Sequence, residues 1–152
     1  PRRGEAGSEV PLPIPGALDL PAVGWRLTAR ILPAPLAAAT LHAPPPLLVD
    51  AATGFHLPCP RAYLDADIAG GALLVRTWRP GDRIQPLGMH SEKKLQDLFT
   101  DAKVPRALRT RLPLVCGADS LLWVAGLRSD ERARVTDATT RVLVLNLEPL
   151  VS

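Results

Sequence analysis

The sequence predicts an α+β fold: a strand-rich, layered, β-sandwich-like core with two short helices. Three observations predict it. Seventeen of the 152 residues are proline, far above average usage, which argues against long helices and for short strands, turns and stiff connections. The hydrophobic fraction of 47% is enough for a core and excludes wholesale disorder. The elements of the second half run strand, loop, two short helices, then three strands. That is not the regular alternation that builds a parallel sheet.

Taken in order, residues 1–9 (PRRGEAGSE) are polar and aperiodic, and read as a frayed start or linker remnant. The missing initial Met and the abrupt basic opening suggest a piece of a longer protein. Residues 10–57 are apolar but repeatedly interrupted. In WRLTARIL, Trp25, Leu27, Ala29 and Ile31 alternate with Arg26, Thr28 and Arg30, the period of a half-buried strand. PLPIPGALDLP and LLVDAATGFHLP read as short strands joined by turns, while PLAAATLHAPPP fits a strand edge or a loop. ALLVRTW (72–78) reads as a strand, followed by a loop punctuated by Pro80, Gly81, Pro86 and Gly88.

A helix is predicted over residues 91–103. Leu95, Leu98, Phe99 and Ala102 fall at i, i+3, i+4 and i+7, with Lys93, Lys94, Gln96, Asp97 and Asp101 off that stripe. Ser91 is the expected N-cap, and Val104-Pro105 ends the helix. Pro105 can then open a second short helix, RALRTR. Helices are expected only within 91–111. LPLVC (112–116), LLWVA (121–125) and RVLVLNL (141–147) read as strands. The resulting division is a remnant at 1–9, a strand-rich segment at 10–70 and a second unit at 71–148.

Charge singles out one segment. The net charge is only +3. Residues 76–111 hold nine basic side chains against four acidic ones, whereas residues 1–75 and 112–152 each carry one acidic residue in excess. Clustered Lys and Arg of this kind are the electrostatic footprint of a phosphate-binding surface. Within it, Gly81 and Gly88 let backbone N–H groups approach a ligand. Lys93 and Lys94 would sit at the wrong end of a helix dipole unless an anion shares the site. Arg106 and Arg109 share a helical face, and Arg111 follows. The competing reading of Arg79, Arg83, Lys93 and Lys94 is a solvated face with loose ion pairs to Asp82, Glu92 and Asp97.

Other chemistry is excluded more simply. Cys59 and Cys116 are isolated and read as small buried hydrophobes; His42, His56 and His90 share no metal-ligand spacing, so no metal site is expected. Trp25, Trp78 and Trp123 are read as core or half-core residues in apolar strands in preference to base-stacking platforms. Asp82 in GDR caps the loop or orients Arg83, and SDER (129–132) is a turn with an ion pair. No Walker loop, paired carboxylates or Ser/His/Asp arrangement is present, so no catalytic residue is assigned. No apolar run is long enough to span a bilayer, and a cytoplasmic protein is expected.

RTWRPGDRIQPLGM, KKLQDLF, KVPRALRTRLPLV and LLWVAGLRSDERARVT, in that order, closely resemble the C-terminal domain of tRNA(Ile)-lysidine synthetase, over about residues 62–148. The resemblance implies a layered fold similar to a domain of the phenylalanyl-tRNA synthetase β subunit. It implies a tRNA-recognition part of an enzyme that uses ATP, with magnesium, and lysine to convert the wobble cytidine of an isoleucine tRNA into lysidine. Arg79, Arg83, Lys93, Lys94, Arg106, Arg109 and Arg111 then become phosphate contacts, with Gly81, Asp82, Pro86 and Gly88 shaping the loop. The family's nucleotide-binding loop, of the SGGxDS kind, is absent from this sequence. The chain alone is therefore expected to be inactive and to carry no cofactor. Expected partners are isoleucine tRNA, the enzyme's own N-terminal catalytic domain and a second copy in a homodimer, with no membrane. The alternative is a structural domain that docks on its catalytic domain or a dimer partner and touches RNA little.

Overall fold

The computed structural model describes residues 9–151, so the reading of residues 1–8 lies outside the described residues. Four strands, β2 (Gly16–Leu20), β3 (Trp25–Pro33), β4 (Arg61–Asp65) and β11 (Arg141–Pro149), form one antiparallel sheet in the order β2-β3-β11-β4. The central strand β11 pairs with β3 from Arg141 opposite Pro33 to Pro149 opposite Trp25, and with β4 from Val142 opposite Asp65 to Asn146 opposite Arg61. Its apolar run VLVLNL is continuous because both faces are covered. Leu143, Leu145 and Leu147 face the main core, while Val142 and Val144 pack with Ala37 in a small second cluster.

The second sheet is β1 (Val10–Pro11), β5 (Leu74–Arg76), β8 (Leu114–Cys116), β9 (Leu121–Val124) and β10 (Arg128–Ser129), in the order β1-β5-β8-β9-β10 and also antiparallel. Both sheets draw strands from either side of residue 70. Their inner faces share one core: Leu27, Leu64 and Leu145 from the first meet Val75, Leu114 and Trp123 from the second, with Leu95, Phe99 and Leu108 from the helices. This is the strand-rich mixed α and β architecture that the proline content and element order predict.

Several local expectations fail, each for a physical reason. PLAAATLHAPPP is neither strand edge nor loop: it holds the helix α1 (Ala34–Leu41), which has Pro35 in its first turn and Ala37 buried. Proline costs nothing at that position, where no intrahelical N–H bond is needed, and alanine is the best helix former. A four-residue helix α2 (Ala66–Ala69) follows Asp65, whose carboxylate accepts from the N–H groups of Asp67 and Ile68. Helices are thus not confined to 91–111. Ile31, placed on the inner face by alternation, is exposed, because the buried stripe of β3 stops at Ala29.

The remaining failure matters most for function. The helix predicted from Ser91 starts only at Leu95: α3 spans Leu95–Asp101, with Lys94 as an extended N-cap that gives no side-chain cap. Its C-terminal end is a Schellman turn, with Val104 N–H on the Phe99 carbonyl, Lys103 N–H on the Thr100 carbonyl and Lys103 at φ 59. Pro105 then caps α4 (Arg106–Arg109) from the position just before it.

One glycine locks the two sheets. Gly126 has φ 85 and its carbonyl accepts from Cys59 N–H. A Cβ there would lie 3.0 Å from the side chains of both Leu147 and Leu57. Gly126→Ala should cost about 1–3 kcal/mol of stability through left-handed strain plus crowding. Equal thermal or urea midpoints for the variant and the parent would contradict this.

Candidate nucleic-acid interface

The lysines expected on a helix lie instead on a strand. β6 (Arg83–Ile84) and β7 (Lys93–Lys94) form a two-stranded ribbon, with Arg83 opposite Lys94 and Ile84 opposite Lys93. Ile84 is fully buried and anchors the ribbon, so Arg83 and Lys94 project from it outward. Like charges directly opposed on one face disfavour pairing. The stripe of α3 begins at Leu95 because a strand, not a first helical turn, precedes it, so Lys93 lies before the helix and only Lys94, its N-cap, stays at the dipole's positive end.

Two aspartates hold the loop that feeds this ribbon. Asp82 accepts both terminal nitrogens of Arg76, at 2.8 and 2.9 Å, and the Arg79 N–H at 2.8 Å. Gly81, at φ 89, makes the turn that permits this. Asp82 thus accepts from the loop's own backbone, and its guanidinium partner is Arg76 and not Arg83. Burial pushes the Asp82 carboxyl up. The Arg76 and Arg79 hydrogen bonds and charges outweigh that and hold it below the usual carboxylate range.

Asp130, in the SDER turn, has only 1% of its surface exposed. It accepts from the N–H groups of Gln85 and Arg132, and its carboxylate receives the Arg132 guanidinium at 2.9 and 2.7 Å. The same turn grips the loop further on. Glu131 N–H donates to Gln85 O, Leu87 N–H to Ser129 O, Gly88 N–H to the Glu131 carboxylate, and Arg128 to Leu87 O. Pro86 and Gly88 therefore shape a segment docked on residues 128–132.

Burial raises the Asp130 carboxyl, but Arg132 and the backbone donors more than offset it and depress its pKa, while Arg132 is raised in turn. A depressed folded-state pKa means stabilisation present above the ordinary carboxylate value, near 3.9, and lost as pH falls through the lower folded value. Asp130→Asn should therefore lower stability at neutral pH, with the gap closing in acid. A stability difference that does not change between pH 7 and pH 2 would contradict it.

Around this scaffold the predicted residues separate into groups. Arg79 and Arg83, joined by Arg76 and Arg132, line an open cleft of about 490 Å3 together with Glu9, Asp82, Glu92 and Asp119. Arg79 pairs with Glu9 at 3.1 Å; Glu92 bridges Arg83 at 3.3 Å and Arg132 at 3.1 Å. Arg106 and Arg109 line a second cleft of about 350 Å3 with Trp78, Gln96 and Thr110. Lys93 is paired with Asp101, and Lys94 is exposed. Arg111 lies elsewhere, in a two-pronged bond at 3.1 and 2.9 Å to the buried Asp50. The Arg111 hydrogen bond, above all, holds the Asp50 carboxyl low.

Sequence reasoning missed Arg76, Arg132, Glu92 and Trp78 as lining residues. Each had a weak signal in the sequence: Arg76 lies in the basic segment, Glu92 and the SDER arginine read as ion-pair partners, and Trp78 reads as a stacking platform only second to core packing. Cys59 and Cys116 are free, and burial pushes both thiols above their ordinary value. Among the described residues no helix is long and apolar enough to cross a membrane, and no group of His, Cys, Asp and Glu could hold a metal ion.

Comparison with known proteins covers the same ground. Residues 73–146, which include the loop and most of both clefts, match the family described as TilS substrate C-terminal domain. The tRNA(Ile)-lysidine synthase of Geobacter sulfurreducens is 45% identical over 105 residues, 66% of this chain and 22% of that protein. That of Symbiobacterium thermophilum is 40% identical over 134 residues, 88% and 24%. The alignments thus span under a quarter of these relatives. A crystal structure of a TilS C-terminal domain is similar at a TM-score of 0.70 and 28% identity, covering 95% of this chain and 98% of that one. An N-terminal fragment of the Pyrococcus horikoshii phenylalanyl-tRNA synthetase β subunit shares the fold at a TM-score of 0.50, 18% identity and 57% of this chain. The chain belongs to the tRNA(Ile)-lysidine synthase family and corresponds to its C-terminal region.

Proposed function

We propose that this chain is the tRNA-recognition part of an enzyme that joins lysine to the wobble cytidine of isoleucine tRNA with ATP and magnesium. The unit at 71–148 carries the recognition surface, and 10–70 completes both sheets beneath it. One observation carries the reading: Arg79 and Arg83 stand in one cleft on a loop that the Arg76–Asp82 and Arg132–Asp130 pairs hold in place. An exposed guanidinium can exchange a loose carboxylate pair for a phosphate, which it can grip with two parallel bonds. Lys94, Arg106 and Arg109 extend the surface. Lys93 and Arg111, bound to Asp101 and Asp50, contribute through geometry more than through contact.

The carboxylates in the cleft do not oppose this role. Glu9 and Glu92 are 43% exposed, and their arginine partners are exposed to a similar degree. Exposed pairs of this kind contribute about 0–1 kcal/mol. A phosphate can displace them, and Glu92 acts as a competitor for Arg83 and Arg132. Glu92→Gln should therefore tighten tRNA binding about two- to fivefold; a weaker complex in a mobility-shift titration would count against the exchange.

Without a nucleotide-cradling loop, the chain by itself should bind neither ATP nor lysine. Calorimetry with each ligand in turn checks that. For the proposal as a whole, mobility shifts of isoleucine tRNA by the 152-residue chain should weaken steeply as salt rises. Absence of a shift at low salt would contradict it.

A second reading has its own observation. Leu36 on α1 and Leu47 beyond it are 62% and 81% exposed. They suit docking on the catalytic part of the same enzyme. Leu36→Ser with Leu47→Ser would then weaken capture of that part and leave tRNA binding of this chain unchanged.

A further inference from the structure

The second cleft differs in kind from the first. The cleft around Arg79 is lined by four arginines and four carboxylates; none of the residues lining the second is acidic. Its wall is Trp78. Unlike Trp25 and Trp123, which are 3% and 0% exposed, Trp78 is only half-buried, because β5 ends at Arg76 and leaves it past the strand. Phe99 meets it edge-on, with centroids 5.4 Å apart and planes at 84°, which fixes the indole without stacking on it.

The polar groups around that wall are uncommitted, and one of them, Arg109, is also held in place. Arg109 donates its Nε–H to the Val104 carbonyl at 2.8 Å and lies 5.8 Å over the Phe99 ring. Its two terminal nitrogens make no hydrogen bond among the described residues. The side chains of Arg106, Gln96 and Thr110 likewise have no partner among them. Donors and acceptors gathered beside an aromatic wall suit a flat, polar-edged ligand with a negative charge nearby. In RNA that describes an unpaired base and its phosphate; a base within a duplex has both faces already stacked. A bare phosphate would use the arginines and leave the indole idle.

We propose that this cleft is a pocket for one unpaired nucleobase of the bound RNA. The base stacks on Trp78, Arg109 and Gln96 bond its edge, and Arg106 takes the adjoining phosphate. The volume of about 350 Å3 admits a base and part of its sugar. The inference rests on the tRNA-binding reading and adds a site that phosphate contacts alone do not require.

The test titrates the 152-residue chain with a short single-stranded RNA and, separately, a short blunt-ended RNA duplex, following tryptophan emission and affinity at several salt concentrations. The single strand should quench Trp78, and Trp78→Leu should weaken its binding roughly 5- to 150-fold with an unchanged salt slope, because stacking releases no counterions. Gln96→Ala, on an exposed helix position, should also weaken it without moving the melting temperature. Trp78→Phe should recover part of the loss and keeps the test informative if Trp78→Leu unfolds. Duplex binding should be unaffected by all three. Single-strand binding equal to the parent in Trp78→Phe and Gln96→Ala, or no quenching, overturns the pocket. If the duplex still binds in that case, the phosphate grip survives; if neither RNA binds the parent, both fall.

Discussion

Phe99→Ala is expected to lower the unfolding free energy by about 3–5 kcal/mol. Phe99 is fully buried on the inner stripe of α3 with Leu95 and Leu98, and joins the core that both sheets share. Truncation removes its transfer free energy and leaves a cavity that two sheets and a helix cannot all collapse into. It also removes the edge that holds Trp78 and the ring beneath Arg109. The variant should therefore shift the urea midpoint with little change in slope. At temperatures where it is still folded, it should also lose the ordered second cleft. Leu98→Ala, 6% exposed, should cost about 2–5 kcal/mol without that second effect. A Phe99→Ala loss below about 1 kcal/mol would mean that the helix does not seal the core.

The opposite pattern is expected of the paired variant Arg79→Ala, Arg83→Ala. Both side chains stand off the apolar core, 39% and 47% exposed, so no buried volume is removed. Asp82 keeps Arg76 and the Arg79 N–H, since neither bond involves the deleted groups. The melting temperature should stay within a few degrees of the parent. What falls is tRNA affinity and, with it, the number of counterions released. Each phosphate that the variant no longer neutralises should flatten the log–log salt slope by roughly 0.7 to 0.9. Lys94→Ala should act in the same direction, and Lys93→Ala less, because Asp101 already neutralises Lys93.

Much of the fold was legible in local pattern. The period-two stripe of WRLTARIL, the i, i+3, i+4 stripe of LQDLF and the closing RVLVLNL each declare their element, and β3, α3 and β11 follow them. What failed was decided at longer range. Ser91 looks like a cap, but the pairing of Lys93–Lys94 with Arg83–Ile84, driven by burial of Ile84, keeps those residues extended. The Ala-rich segment is only weakly amphipathic, so proline content argued against a helix that the first-turn position of Pro35 permits.

The site shows the same division. Charge clustering located the basic segment, and Gly81 and Gly88 both take the positive φ expected of a tight loop. Which arginines share a cleft depended on tertiary structure. Asp130 draws Arg132 in from a turn far along the chain from Asp82, and Asp50 takes Arg111 out of the cluster that its spacing suggests. No local rule separates an arginine that holds a buried aspartate from one that awaits a phosphate.

Filter binding of isoleucine tRNA across a series of salt concentrations, for the parent and for Arg79→Ala, Arg83→Ala, with melts run in parallel, tests the central claim most directly. The account predicts a steep parent slope, and a weaker, flatter one for a variant that melts like the parent. An unchanged affinity and slope in the folded variant would contradict it, and residues 79–94 would then be a solvated, ion-paired surface.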